Sequence, residues 1–185
     1  MKTHFDIEKI IKDGKINNEL DLERAQIADR KLRLLAKEDS SFVSIRKKLR
    51  DIIEEYETRV WSKDNISYEK IKESEIAELI AEKEREFLLK RKTLIKDKLK
   101  SFNLTQEQLG LILGHRSKTY MSELINGISP FSLKDIIIMN RLLKIDILHL
   151  LPIFLSKNDQ IKVKSAVIQL KNPKIKLTKE DLEFA

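Results

Sequence analysis

The residues best suited to do chemistry in this chain form one short run: Arg116-Ser117-Lys118-Thr119-Tyr120, with Ser122 and Glu123 close behind. On a helix starting at Ser117, at about 100° per residue, Met121, Leu124 and Ile125 gather on one side. Thr119, Ser122 and Glu123 point the other way, and Lys118 and Tyr120 flank them. A face of small hydroxyls, a lysine and an aromatic can enter a DNA major groove, where hydroxyls and Lys donate to base edges or phosphates. Arg116, in the turn before, is either a phosphate clamp or a free surface charge. Tyr120 either reaches the DNA or packs at the edge of the core. Glu123 would repel phosphate unless it accepts from cytosine N4, so it is either a specificity contact or half of an intramolecular salt bridge. Gln106 opens the preceding helix, where it meets a phosphate, touches the neighbouring helix or simply starts the turn.

Nothing comparable supports catalysis. The chain has no cysteine, which removes thiolate metal sites, disulfides and cysteine nucleophiles together. His4, His115 and His149 are scattered singly. No HExxH, GxSxG or phosphate-cradling Gly-rich loop occurs. The pairs Glu54-Glu55 and Glu82-Glu84 sit in charge-alternating stretches, where solvated side chains are the ordinary outcome. The sequence predicts neither an enzyme nor a cofactor nor a metal.

The elements that must position the run read as helices, giving an all-α fold. No Gly or Pro occurs between Gly14 and Gly110, a stretch rich in Leu, Ile, Glu, Lys and Arg. A first firm helix is expected over 18–37, with Leu22, Ala25, Ala28, Leu32 and Leu35 at helical spacing. Glu38-Asp39-Ser40-Ser41 stops it and can cap the next. A second helix runs to about Trp61 with Val43, Ile45, Leu49, Ile52, Ile53, Tyr56 and Val60 on its apolar side. After a turn at 62–65, a long helix is expected from 66 to 101, striped by Ile76, Leu79, Ile80, Phe87, Leu88, Leu94, Ile95 and Leu99. The run Lys90-Arg91-Lys92, with Lys96, Lys98 and Lys100, reads as a solvated face or a phosphate track. Thr105 caps a short helix that Gly114 ends without Cβ strain. Ser117 caps the next, and Ser132-Leu133-Lys134-Asp135 starts another through about Lys144. Asp146 can cap a further turn that Pro152 disturbs. In the lysine-rich tail a helix near 159–170 is expected, with an extended link at Pro173 and a last turn at Thr178-Lys179-Glu180-Asp181.

Charge divides the chain. Residues 1–83 carry 18 Lys+Arg against 19 Asp+Glu, and residues 84–185 carry 19 against 11. The whole excess of +7 therefore belongs to the second half, which suits a polyanionic partner. The charge split and the motifs suggest three regions: an N-terminal helical region at 1–83, a DNA-binding domain at 84–155 and a basic extension at 156–185. No apolar stretch reaches a membrane span and no signal core is seen near Met1, so a soluble, cytoplasmic, nucleoid-associated protein is expected.

The segment LTQEQLGLILGHRSKTYMSELINGISPFSL, residues 104–133, resembles a known family. Thr105-Gln106-Glu107, Leu109, Leu113-Gly114, Asn126-Gly127 and Ser132-Leu133 look like the Cro/repressor-type (Xre-like) helix-turn-helix domain. Ser117-Lys118-Thr119 with Met121-Ser122 is similar to the recognition segment of HigA-type antitoxins. Leu22-Glu23-Arg24-Ala25 and Ile52-Ile53-Glu54-Glu55-Tyr56-Glu57, with Trp61, are similar to the helical N-terminal segment of the same antitoxins. The chain departs from the pattern in having Gly110 where Ala is usual, and in lacking a Lys/Arg pair after Asn126-Gly127. The resemblance implies an N-terminal helical hairpin, a long connecting helix and a repressor-like five-helix domain. It implies a homodimer that binds operator DNA, represses its own operon and neutralises a small basic ribonuclease toxin of the HigB type. DNA would be met by Gln106, Arg116, Ser117, Lys118, Thr119, Tyr120, Ser122 and Glu123. The toxin would be met by the surplus apolar stripe Ile52, Ile53, Tyr56 and Trp61, although Trp61 reads more readily as a core anchor than as a partner contact. The alternative is a stand-alone regulator whose N-terminal helices dimerise or hold another protein.

Overall fold

The computed structural model describes residues 7–62, 66–152, 157–175 and 177, and every regular element among them is a helix. The helices are α1 (Ile7–Asp13), α2 (Glu19–Leu35), α3 (Ser41–Val60), α4 (Tyr68–Ser101), α5 (Gln106–Leu113), α6 (Lys118–Asn126), α7 (Leu133–Leu143), α8 (Ile147–Leu150) and α9 (Lys157–Leu170). No helix among the described residues is long and apolar enough to cross a membrane.

Local chemistry accounts for most boundaries. The Asn18 side chain accepts from the Asp21 N–H at 2.9 Å and starts α2. Asp39 Oδ1 accepts from the Ser41 N–H at 2.9 Å and opens α3. Ser67 caps α4, and capping boxes at Thr105/Gln108 and Ser132/Asp135 open α5 and α7. Gly114 (φ 88°) and Gly127 (φ 69°) end α5 and α6 in the left-handed region, where a side chain would be strained.

α2 and α3 form a hairpin, with α1 packed on α3. Its core comprises Ile7, Ile10, Ile16, Leu22, Ala25, Ala28, Leu32, Phe42, Leu49, Ile53 and Tyr56, closed by Ile128 from beyond α6. α4 lies along α2 through Ala77 and Ala81, and Arg24 of α2 pairs with Glu84. The C-terminal half of the same helix, through Ile95 and Leu99, packs with α5 to α8. Leu109, Leu113, Met121, Leu124, Ile125, Phe131, Ile136, Met139, Leu143, Ile145 and Leu150 are buried in that half of the fold.

Several expectations are corrected. α1 was not anticipated, because only Ile7, Ile10 and Ile11 break its charged surroundings. The α4 stripe is not continuous: Leu79 is 61% exposed and small Ala77 and Ala81 make the contact with α2. Residues 1–150 form one compact unit and 151–185 a second, so the boundary expected at 83/84 falls inside the unbroken α4. Within the second unit, α9 exposes Ile161, Ile168 and Leu170. Pro173 lies in a turn rather than an extended link, with the Ile175 N–H bonded to the Asn172 carbonyl at 3.1 Å. The expected turn at Thr178–Asp181 lies outside the described residues.

Candidate nucleic-acid interface

α5 and α6 are short helices joined by Gly114-His115-Arg116-Ser117, and they cross closely. A Cβ on Gly110 would stand 2.7 Å from Met121 Cγ and 3.0 Å from the His115 carbonyl oxygen. An Ala at this position therefore does not fit the crossing without movement. Met121, Leu124 and Ile125 face inward at 1%, 0% and 1% exposure, which sets the roll of α6. Ser117 caps it, its Oγ accepting from the Tyr120 N–H at 3.2 Å. His115 bridges outward from the turn, Nε2 lying 3.1 Å from Asp135 Oδ1 of α7 and its ring edge-on to Tyr120.

The eight residues expected to meet DNA fall into two groups. Arg116, Ser117 and Lys118 are exposed at the turn and the start of α6, and Gln106 is half-buried at the start of α5. Lys118 Nζ pairs with Glu107 Oε1 at 2.7 Å on the surface, a contact worth little that solvent or phosphate can replace. Ser122 is half-buried, its carbonyl and hydroxyl both accepting from Asn126 Nδ2.

Of the remaining three, Glu123 is buried and Thr119 and Tyr120 are half-buried. Glu123 is buried and accepts from the Ser129 hydroxyl at 3.0 Å. The group bonded to it is a hydroxyl rather than a cation. Burial pushes its carboxyl above the usual range and the nearby Glu8 adds to this, against the lowering effect of Ser129. Thr119 is half-buried and donates to Asp39 Oδ2, at the α2–α3 turn, at 3.0 Å. Tyr120 is half-buried, its hydroxyl pushed up in pKa by burial, then by Glu8, Asp135 and Glu123. Nothing local to Asp39 or Glu8 pointed to α6, because each meets it only through tertiary packing.

The four residues expected to hold a partner are also placed elsewhere. Ile53 and Tyr56 are buried in the hairpin core, and Ile52 and Trp61 pack half-buried against it. Tyr56 OH and Trp61 Nε1 both donate to the Glu19 carboxylate, at 2.8 and 3.2 Å. Within the chain, α1 and α2 pack on the helix that carries this stripe.

The basic run of α4 divides as well. Lys92 Nζ donates to Asn126 Oδ1 at 2.7 Å, while Lys31 of α2 donates to the Asn126 carbonyl at 3.3 Å. Both cations sit at the C-terminus of α6, where helix dipole and free carbonyls favour them. Arg91 is 1% exposed, stacked over Phe131 with 5.1 Å from guanidinium to ring centroid. Its Nη1 donates to the Leu150 carbonyl at 3.3 Å, and Nε and Nη2 have no hydrogen-bond partner among the described residues. A run read as a solvated face or phosphate track thus carries a core residue. Its stack on Phe131, distant in sequence, left no local signal.

Comparison of the chain with protein-family models, with curated proteins and with solved structures finds no match in any of the three.

Proposed function

We propose that this protein is a DNA-binding regulator that reads duplex DNA through α5, the turn and α6. The observation that carries this reading is the close α5–α6 crossing at Gly110, which fixes two capped helices so that Arg116, Ser117 and Lys118 project together from one end. Exposed basic and hydroxyl groups at a helix start suit both base edges and phosphate. The positive balance of residues 84–185 supplies the phosphate-derived affinity. The test is to enrich duplexes from a randomised pool with the full chain, then titrate the enriched duplex at several salt concentrations. Lys118→Ala should cost about 1–3 kcal/mol of specific binding, and Lys174→Ala in the tail should cost little. Equal small losses for both would reduce the reading to net charge.

Within that class, the antitoxin reading proposes operon autorepression by a homodimer and direct neutralisation of a basic toxin. Its support is the resemblance together with an open groove of about 520 Å³ between α2 and α3, lined by Asp29, Glu54 and Glu57 beside Arg30 and Arg50. Co-purification with a small basic protein encoded next to it tests this. The burial of Ile52, Ile53, Tyr56 and Trp61 favours the second reading, a stand-alone regulator. In that case the hairpin is a built part of the DNA-binding unit.

A further inference from the structure

We infer that the N-terminal hairpin is a built-in competitor for DNA, its acid-bearing turn occupying the reading side of α6 until duplex displaces it. The inference rests on the DNA-binding reading of α6 and concerns how that site is regulated. Two hydrogen bonds tie α2 and its following turn along α6. Asp39 takes the hydroxyl of Thr119 near the start of α6, and Lys31 reaches the carbonyl of Asn126 at its end. Thr119 and Asn126 are seven residues apart, two helical turns, and so lie on one side of the helix. Glu123 lies on that same side and is buried. Ile128, immediately beyond α6, is drawn into the hairpin core.

The chemistry of the occupant is what makes it a competitor. Asp39 brings a carboxylate to a face that, on this reading, meets phosphate and base edges, and two anions cannot share it. The hairpin half of the chain nets −1 and the remainder +8, so the contact satisfies with internal acids what DNA would satisfy with phosphates. The hairpin can also part from α6 without dissolving. Among the described residues its core is built from positions 7–61, with Ile128 the one buried contribution from elsewhere. Release gives up the Thr119 and Asn126 bonds and one buried isoleucine, and the α2–α4 packing with its Arg24–Glu84 pair must shift with it, while Glu19, Tyr56 and Trp61 stay bonded inside the hairpin. A closed form held this way lowers apparent DNA affinity by the fraction of molecules that are open.

The absence of native cysteine allows a direct test in the full chain. Asp39→Cys with Thr119→Cys places two thiols where the side chains now meet, and the same protein is measured oxidised and reduced against a duplex enriched from a randomised pool. Because both forms carry the same substitutions, any direct role of Thr119 cancels. The oxidised form should bind about tenfold or more weakly than the reduced form, with helicity unchanged, as a closed population predicts. Asp39→Ala alone should bind more tightly than the unaltered chain. Equal binding by oxidised and reduced forms, with Lys118→Ala still weakening it, would overturn the competitor while leaving the DNA reading intact. Failure of the pair to oxidise would overturn the contact itself. Absence of binding in every form, including Asp39→Ala, would remove the DNA reading and this inference with it.

Discussion

Lys31 sits in a crowd of its own sign. Burial, followed by Arg91, Lys92 and Arg85, lowers its pKa from 10.5 to about 8, and the Asn126 carbonyl compensates only in part. Below about pH 8 the amine is charged in the folded and unfolded chain alike, and the fold bears the whole penalty. Between about 8 and 10.5 it is neutral only in the fold, so the unfolded chain binds more protons and stability rises with pH. Lys31→Met keeps the stem and removes the charge. It should raise stability by about 1–3 kcal/mol at pH 7, with the gain shrinking by pH 10. Urea titrations at both pH values check this, and a pH-independent increment or a loss would contradict it. Arg91 presents the related case of a buried guanidinium with two unpaired donor atoms. Arg91→Met should be neutral or stabilising by about 1–2 kcal/mol, whereas Arg91→Ala should be destabilising through the cavity it leaves. A large loss from Arg91→Met would show that the charge itself is needed.

At the scale of elements, the α5–α6 crossing depends on a missing methyl group. Gly110→Ala must move either Met121 or the His115 carbonyl, and should cost about 1–3 kcal/mol in thermal or urea unfolding. An unchanged melting temperature would mean that the crossing is looser than its distances. The caps make a milder prediction: Thr105→Ala should cost about 1 kcal/mol. Ser40→Ala should cost almost nothing, since Asp39 rather than Ser40 bonds the first turn of α3. These local devices were legible in the sequence because each is short-range: Thr105, Ser117, Ser132, Gly114 and Gly127 act on neighbours within a few residues. The inward roll of α6 was legible for the same reason, as Met121, Leu124 and Ile125 share one helical side. Asp39 meeting Thr119, Glu8 approaching Glu123 and Arg91 stacking on Phe131 were not legible. Each joins residues tens of positions apart, and an isolated polar side chain carries no periodicity to report where it lands. The same limit hides what packs around Ile52, Ile53, Tyr56 and Trp61, since Glu19 of α2 and the whole of α1 carry no signal that points to α3.

At the scale of the whole molecule, α4 decides what can be separated from what. The charge balance changes near residue 83, and on charge alone residues 84–185 should be a self-sufficient DNA-binding fragment. The fold argues otherwise. α4 is one helix from Tyr68 to Ser101, holding the hairpin through Ala77, Ala81 and the Arg24–Glu84 pair in its first half and packing with α5 to α8 through Ile95 and Leu99 in its second. A break at 83/84 would split the helix, remove Asp39 and Lys31 from α6, and expose Ile128, which the hairpin now buries. The expected result is that residues 84–185 lose cooperative unfolding when expressed alone, while residues 1–83, which hold all of the hairpin core but Ile128, keep a weakened transition. Residues 1–152, which keep the whole first compact unit, should unfold in one transition close to that of the full chain. Circular dichroism melts of the three fragments decide it. If 84–185 instead melts cooperatively and binds duplex more tightly than the full chain, the hairpin is a removable clamp and the second half is a domain in its own right. If 84–185 is unfolded, the DNA-reading helices need the hairpin for their stability even while it competes for their surface, and regulation must then work by a shift of the hairpin along α4 rather than by its loss.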